Sequence, residues 1–339
     1  MGGSINRFPA QMPQRNESYR SQVSRGVVAG VGFIQKYGEA PDIDIADNFL
    51  TVWDNKSIYV PPTQGRIHDV VSDDIADVGT LLSSGTMTDG GVDFIEDTGA
   101  TFVSDGVAVG DVALDDDCIA VGIVTSLTEI KLDILGLMRD PENGKAIICG
   151  STDAYRIVTN GSTGASIAYI AGINTLRLDQ EEFVILNGTT NVPTANSYFR
   201  QHRARVFGAN TTGLVGVLTS TAQTDGTISL QIIDGNNQTL MAVYTVPIDK
   251  DGFITNWWTN LAGNTVAISN VILWVGLMQG IGYIVQKVAL NSSGDSSFVT
   301  PESFSKSVPG GADIWITADS SSNNAIVSAG FDVELYQVR

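Results

Sequence analysis

The feature that most constrains this chain is a succession of short apolar runs with a period of two, separated by turn-forming dipeptides. Ile130, Leu132 and Ile134 alternate with polar residues, as do Ile228, Leu230 and Ile232, while Ala204 and Val206 alternate with Arg203 and Arg205. Successive side chains of a strand point to opposite faces, so each run reads as a half-buried strand. Asn160-Gly161, Asn187-Gly188, Asp234-Gly235 and Asp251-Gly252 punctuate the chain, and such pairs favour tight turns. No stretch of a dozen residues carries an amphipathic helical period. With 36 glycines spaced in this way, the chain is expected to be all-β. The expected architecture is tandem β-sandwich domains of jelly-roll-like type, with a small inserted β-barrel and an extended N-terminal arm.

Length and local composition predict the boundaries. A chain of 339 residues suggests two or three domains. Residues 1–39 are assigned to the arm, because the segment begins polar, carries Pro9 and Pro13 and lacks either period. Residues 79–158 are strongly acidic and contain both cysteines. Their strand candidates are Ala100–Val103, Gly110–Leu114, Ile119–Thr125, Ile130–Leu135 and Ala154–Val158, enough for a small barrel. The flanks 40–78 and 159–195 are each too short for a sandwich but suffice when joined, giving a discontinuous first sandwich. Residues 196–339 then supply a second one.

Charge narrows the function. The net charge is −18, which argues against nucleic-acid binding through phosphate contacts. Residues 1–36 nevertheless carry +4, leaving −22 on the remainder. A basic arm on an acidic body suits docking onto a neighbouring subunit. The candidate contacts in the arm are Ile5, Arg7, Phe8, Arg15, Tyr19, Arg20 and Arg25. The start has no apolar core of a signal peptide, and the longest apolar run, Val271–Met278, is far short of a membrane span. A soluble protein with reduced thiols is expected, without membrane contact.

Residues that carry chemistry are sparse. His68 and His202 are the only histidines, and His202 stands among arginines. Pairing His68 with Cys118 or Cys149 has no local signature of a thiol enzyme, so both cysteines read as small apolar residues of the inserted unit. Asp115-Asp116-Asp117 lacks the spacing of a calcium loop and reads as a solvated turn. No catalytic residue, cofactor or metal is expected, and the chain reads as a non-enzyme. Trp257-Trp258 is the aromatic feature of interest: in a strand one indole faces the core and the other faces solvent, a partner or a ligand such as a glycan.

Two groups of residues carry a resemblance. The first is Trp53-Asp54, Tyr59-Val60-Pro61, Val70-Val71-Ser72-Asp73 and Asp77. The second runs through Gly172-Ile173-Asn174, Glu182 to Thr189, Tyr198, Arg200, Arg203 to Arg205, Asn210, Gly213 and Gln238 to Pro247. This order resembles β-rich virion structural proteins of tailed, often marine, bacteriophages, with about eighty residues inserted between the groups. Phe102 to Asp111 is itself similar to small barrels of phage head and tail proteins.

The resemblance implies a structural component of a virion, assembled in the host bacterial cytoplasm. The expected role is an accessory head protein (decoration or minor capsid) or a collar or tail protein. Its expected partners are itself, as a homo-oligomer for which a trimer is one state, and other virion proteins. The alternatives are a receptor- or glycan-binding fibre or spike protein, and a double jelly-roll major capsid protein.

Overall fold

The computed structural model describes residues 31–53, 55, 64–135, 138–141, 146–161, 164–208, 214–262, 268–278, 280–293, 296–300 and 305–338. Every regular element among them is a strand, and every strand pairing is antiparallel. The proposed arm contacts Ile5, Arg7, Phe8, Arg15, Tyr19, Arg20 and Arg25 lie outside the described residues, as do Asn210 and Gly213.

The strands form three units, nested along the chain. The terminal unit is built from both ends of the described chain. Val31–Ile43 pairs along nearly its whole length with Ala325–Gln337, which pairs on its other side with Lys250–Ala262. Ser297–Val299 and Lys306–Val308 complete this five-stranded sheet. A second five-stranded sheet runs Val243–Thr245, Asp313–Ala318, Ile268–Leu277, Ile281–Asn291, with Leu50–Thr51 beside Asp313–Ala318. The two sheets share one apolar core. Ile254, Trp257, Phe331 and Val333 enter it from the first, and Val271, Leu273, Ile314 and Ile316 from the second.

The middle unit interrupts the terminal one. A three-stranded sheet of Asp179–Ile185, Ile167–Ile173 and Arg200–Phe207 shares a core with a four-stranded sheet of Val192–Pro193, His68–Ser72, Leu218–Ala222 and Ile228–Ile232. Trp53, Met241, Val243 and Trp315 extend this core into the terminal unit. The sequence boundaries therefore shift. Residues 31–39, assigned to the arm, are strand. Residues 40–53 belong with the terminal unit rather than with the first sandwich, and 200–232 belong with the middle unit rather than the second. Val31–Ile43 and Leu50–Thr51 pair with strands near the other end of the chain, and Leu218–Ala222 pairs with His68–Ser72, partners that no local pattern records.

The inserted unit is one seven-stranded sheet, all of whose strands lie between Leu81 and Val158. Its order is Leu81–Thr86, Ala154–Val158, Val112–Asp115, Ala120–Leu127, Lys131–Ile134, Phe94–Glu96, Asp89–Gly90. Residues 100–103, expected as a strand, instead form a turn in which Asp105 N donates to Thr101 O at 2.7 Å. That turn drops Phe102, fully buried, into the unit's core against Tyr155.

The inserted unit packs against the middle one. Val112, Leu114, Val121 and Val158 pack against Ile167, Tyr169, Ala171 and Phe183 of the middle unit in one apolar cluster. Ile167–Ile173 is accordingly buried at every position, since one face serves this cluster and the other the middle unit's own core. A strand covered on both faces has no polar face to show, which explains its unalternating sequence.

Candidate assembly interface

Long edge strands with apolar side chains are uncommon in monomers, because their unpaired N–H and C=O groups invite another chain. Ile281–Asn291 is such a strand. It pairs with Ile268–Leu277 on one side and, among the described residues, with nothing on the other. Ile281 is 78% exposed, Ile284 50% and Tyr283 45%. On the same side of the unit, Val299 is 64% exposed on the short edge strand Ser297–Val299 of the facing sheet. Tyr283 stands opposite Val275, on the face of the terminal core, and Ile284 opposite Trp274, on the other face, so exposed apolar side chains flank the edge strand on both faces. Lysine is the usual deterrent on such an edge. Here the Lys306 ammonium sits 5.2 Å from the Tyr283 ring centroid and that of Lys287 5.7 Å from the Phe49 ring centroid, each over an aromatic face.

The tryptophan pair divides as strand alternation requires. Trp257 is fully buried in the terminal core, so it is no interface residue itself. Its indole N–H donates to Gln286 Oε1 at 2.9 Å, which pins the edge strand from beneath. Trp258 lies on the outer face of the other sheet and is half-buried. Its ring stacks on Tyr37 with centroids 5.4 Å apart and planes 21° off parallel. Gly330 sits between them in register, pairing with both Tyr37 and Trp258. A Cβ there would fall 2.8 Å from the Trp258 ring and 2.5 Å from the Lys36 carbonyl oxygen, so only glycine lets the two rings lean together.

Neither histidine is placed for chemistry on a substrate. His68 is fully buried, with Nε2 2.8 Å from Ser229 Oγ and Nδ1 3.0 Å from the Arg66 carbonyl. The geometry is that of a base beside a hydroxyl, yet Ser229 is equally buried and no solute reaches it. Desolvation lowers the His68 pKa to about 4, so the imidazole is neutral near pH 7. His202 is buried against Tyr244, and desolvation together with the charges of Lys36, Arg203 and Lys250 holds its pKa well below the ordinary range. Neither histidine partners a cysteine. Cys118 and Cys149 are free, one exposed and one buried.

The acidic run is not a solvated turn throughout. Asp116 makes a bidentate ion pair with Arg156, at 2.7 Å from both Nε and Nη2. Asp117 Oδ2 accepts from Ala154 N at 2.7 Å. Asp115 is fully buried, and its Oδ1 accepts from the N–H groups of Asp117 and Cys118 at 3.0 and 2.9 Å. Cys118 departs from the expected apolar core residue: it is exposed, and its thiol reaches Asp153 Oδ2 at 3.5 Å.

Sequence reasoning missed Ile281, Ile284 and Val299 as a surface. Their runs look like ordinary core-forming strands, and edge position is a property of the sheet rather than of the strand. No protein-family model matches the sequence, and no curated protein matches it either.

Proposed function

We propose that the protein is a structural component that works by subunit–subunit contact, with Ile281–Asn291 as a principal contact between copies. The observation that carries this reading is the exposure of Ile281, Tyr283 and Ile284 on an edge that is unpaired among the described residues. Pairing two such edges satisfies their backbone groups and buries exposed apolar area at about 25 cal/mol per Å². The resemblance to phage virion proteins extends the reading to an accessory head, collar or tail protein of a bacteriophage. In that setting the basic segment 1–25 engages a neighbouring acidic subunit.

The same reading takes the inserted unit as a small barrel. Its two terminal strands, Leu81–Thr86 and Asp89–Gly90, are separated by only Met87 and Thr88, so one stretch of chain spans both ends of the sheet. The facing sheets of the terminal and middle units are taken as sandwiches of jelly-roll-like kind.

Labelling of purified phage particles whose genome encodes the chain tests the virion role. An antibody to the protein is expected to decorate the head or the collar at regular positions. Particles that lack the chain contradict the reading. A second reading, glycan binding, is favoured by the Tyr37–Trp258 stack on the outer sheet face. Retention on a glycan array that disappears in Trp258→Ala would select it.

A further inference from the structure

The Asp115, Cys118 and Asp153 side chains converge at one end of the inserted unit. One ligand atom from each lies within 4.8 Å of the other two. The Cys149 thiol is beside them, hydrogen-bonded to Asp115. Separations along the chain of about thirty-five residues are closed by two turns. Asp115-Asp116-Asp117 turns after the strand Val112–Asp115, and Gly150 N donating to Asp153 Oδ2 at 2.6 Å folds the loop before Ala154–Val158.

An acidic cluster with a cysteine is ordinary in a chain this acidic, and what sets this one apart is Asp115. The residue is 0% exposed, and the donor beside its second oxygen is the Cys149 thiol, a weak one. A buried carboxylate oxygen held only by a thiol costs stability, since so weak a donor does not replace the water it lost. The nearby charges supply no stronger partner. Arg156 is committed to Asp116, and Asp117 is committed to Ala154 N. What surrounds Asp115 is a second carboxylate and two thiols.

We propose that Asp115, Cys118 and Asp153, with Cys149 as a fourth donor, form a site for a thiophilic divalent cation, with zinc as the best fit. Two carboxylates and one or two sulfurs match the mixed, four-coordinate preference of zinc. Calcium takes six to eight oxygens and finds too few here. On binding, the Cys118 thiol gives its proton to solvent as the metal–sulfur bond forms. Burial first, and then the neighbouring Asp115 and Asp153, push the Cys118 pKa up to about 11, so without a cation the sulfur stays protonated. This site is independent of the edge strand and of the virion reading.

Cobalt is the probe, because a cobalt–thiolate bond gives a near-ultraviolet charge-transfer band that carboxylates alone do not. The full chain, reduced and stripped with chelator, is titrated with Co²⁺ and then with Zn²⁺. One equivalent per chain with a charge-transfer band, displaced by zinc, is expected. Cys118→Ser is expected to abolish or sharply reduce the band. Asp153→Asn is expected to weaken binding at least ~10-fold, since even groups that only orient ligands cost that much when lost. Asp116→Asn, at the carboxylate already paired with Arg156, is the control and is expected to leave the band and stoichiometry unchanged. Circular dichroism checks that each variant is folded. The proposal is overturned if the folded chain shows no band, if Cys118→Ser keeps it, or if calcium competes on equal terms with zinc.

Discussion

Arg200 and Asp313 form an ion pair at 2.8 Å in which both side chains are only 2% exposed, and it joins the middle unit to the terminal one. Asp313 also accepts from Thr245 Oγ1 at 2.6 Å and from Met278 N at 2.9 Å, so its carboxylate is fully engaged. A pair this deep contributes through geometry more than through Coulomb energy, because desolvating both charges offsets much of their attraction. Removing one partner is a different matter. Asp313→Ala strands the Arg200 guanidinium in the interior and is expected to cost about 3–5 kcal/mol in urea unfolding. Replacing both with apolar residues, Arg200→Met with Asp313→Leu, is expected to cost clearly less than that single change.

Gly330 is expected to be irreplaceable for a packing reason. Its Cβ would meet the Lys36 carbonyl oxygen at 2.5 Å, and backbone cannot move aside as a side chain can. Gly330→Ala is expected to lower stability by about 1–3 kcal/mol, the usual cost of overpacking. Tryptophan fluorescence is expected to shift as well, because the Tyr37–Trp258 stack opens. An unchanged spectrum and melt would show that the two strands separate there without penalty.

Acid is expected to destabilise the fold through its histidines. In the unfolded chain His68 titrates near the ordinary ~6.5. In the folded chain its pKa falls to about 4, chiefly by desolvation. Between these values the unfolded state binds a proton that the folded state does not, so stability falls as pH drops from about 6.5 towards 4. The gap corresponds to about 3 kcal/mol. His202 acts in the same sense, being held neutral by burial and by Lys36 and Arg203. Asp115 and Glu182, raised by desolvation, act in the opposite sense. The clean comparison is therefore His68→Gln against the parent chain. The variant's melting temperature is expected to depend less steeply on pH across this window, and a parallel dependence would remove His68 as a cause.

The inserted unit illustrates what the sequence showed and what it concealed. Its acidic composition and its run of short strand signals mark residues 79–158 as a segment of distinct character. Those signals also suggest that it could be lifted out. The shared cluster of Val112, Leu114 and Val158 with Ile167, Tyr169 and Phe183 predicts otherwise. Replacing 79–158 with a Gly-Ser linker is expected to expose that apolar face and to abolish a cooperative melt. A sharp melt from the excised chain would show that the contact is dispensable.

The same division runs through the rest of the chain. Period-two runs such as Ile228–Ile232 are legible because face alternation is a local property. The pairing of Val31–Ile43 with Ala325–Gln337 is not, since its two strands stand almost three hundred residues apart and each reads plausibly with other partners. Turn dipeptides mislead when packing overrides them. Asp234-Gly235 does turn, with Gly235 at φ 78°, whereas Asp251-Gly252 lies inside the strand Lys250–Ala262. Gly252 is there for closeness, as its Cβ would come within 3.0 Å of Val246. For the candidate sites, residue types were visible and juxtaposition was not. Cys118 and Asp153 meet only through the strand order of the inserted sheet. Ile281 and Ile284 become a surface only because, among the described residues, no further strand pairs beside theirs.

The central claim is that the edge strand Ile281–Asn291 joins copies of this chain. Sedimentation velocity of the full-length protein over a range of micromolar concentrations tests it most directly, beside the double variant Ile281→Lys, Ile284→Lys. Both side chains are at least half exposed, so the variant is expected to melt as the parent does. The parent is expected to sediment as an oligomer and the variant as a monomer. A parent that stays monomeric throughout, or a variant that associates as the parent does, would contradict the account.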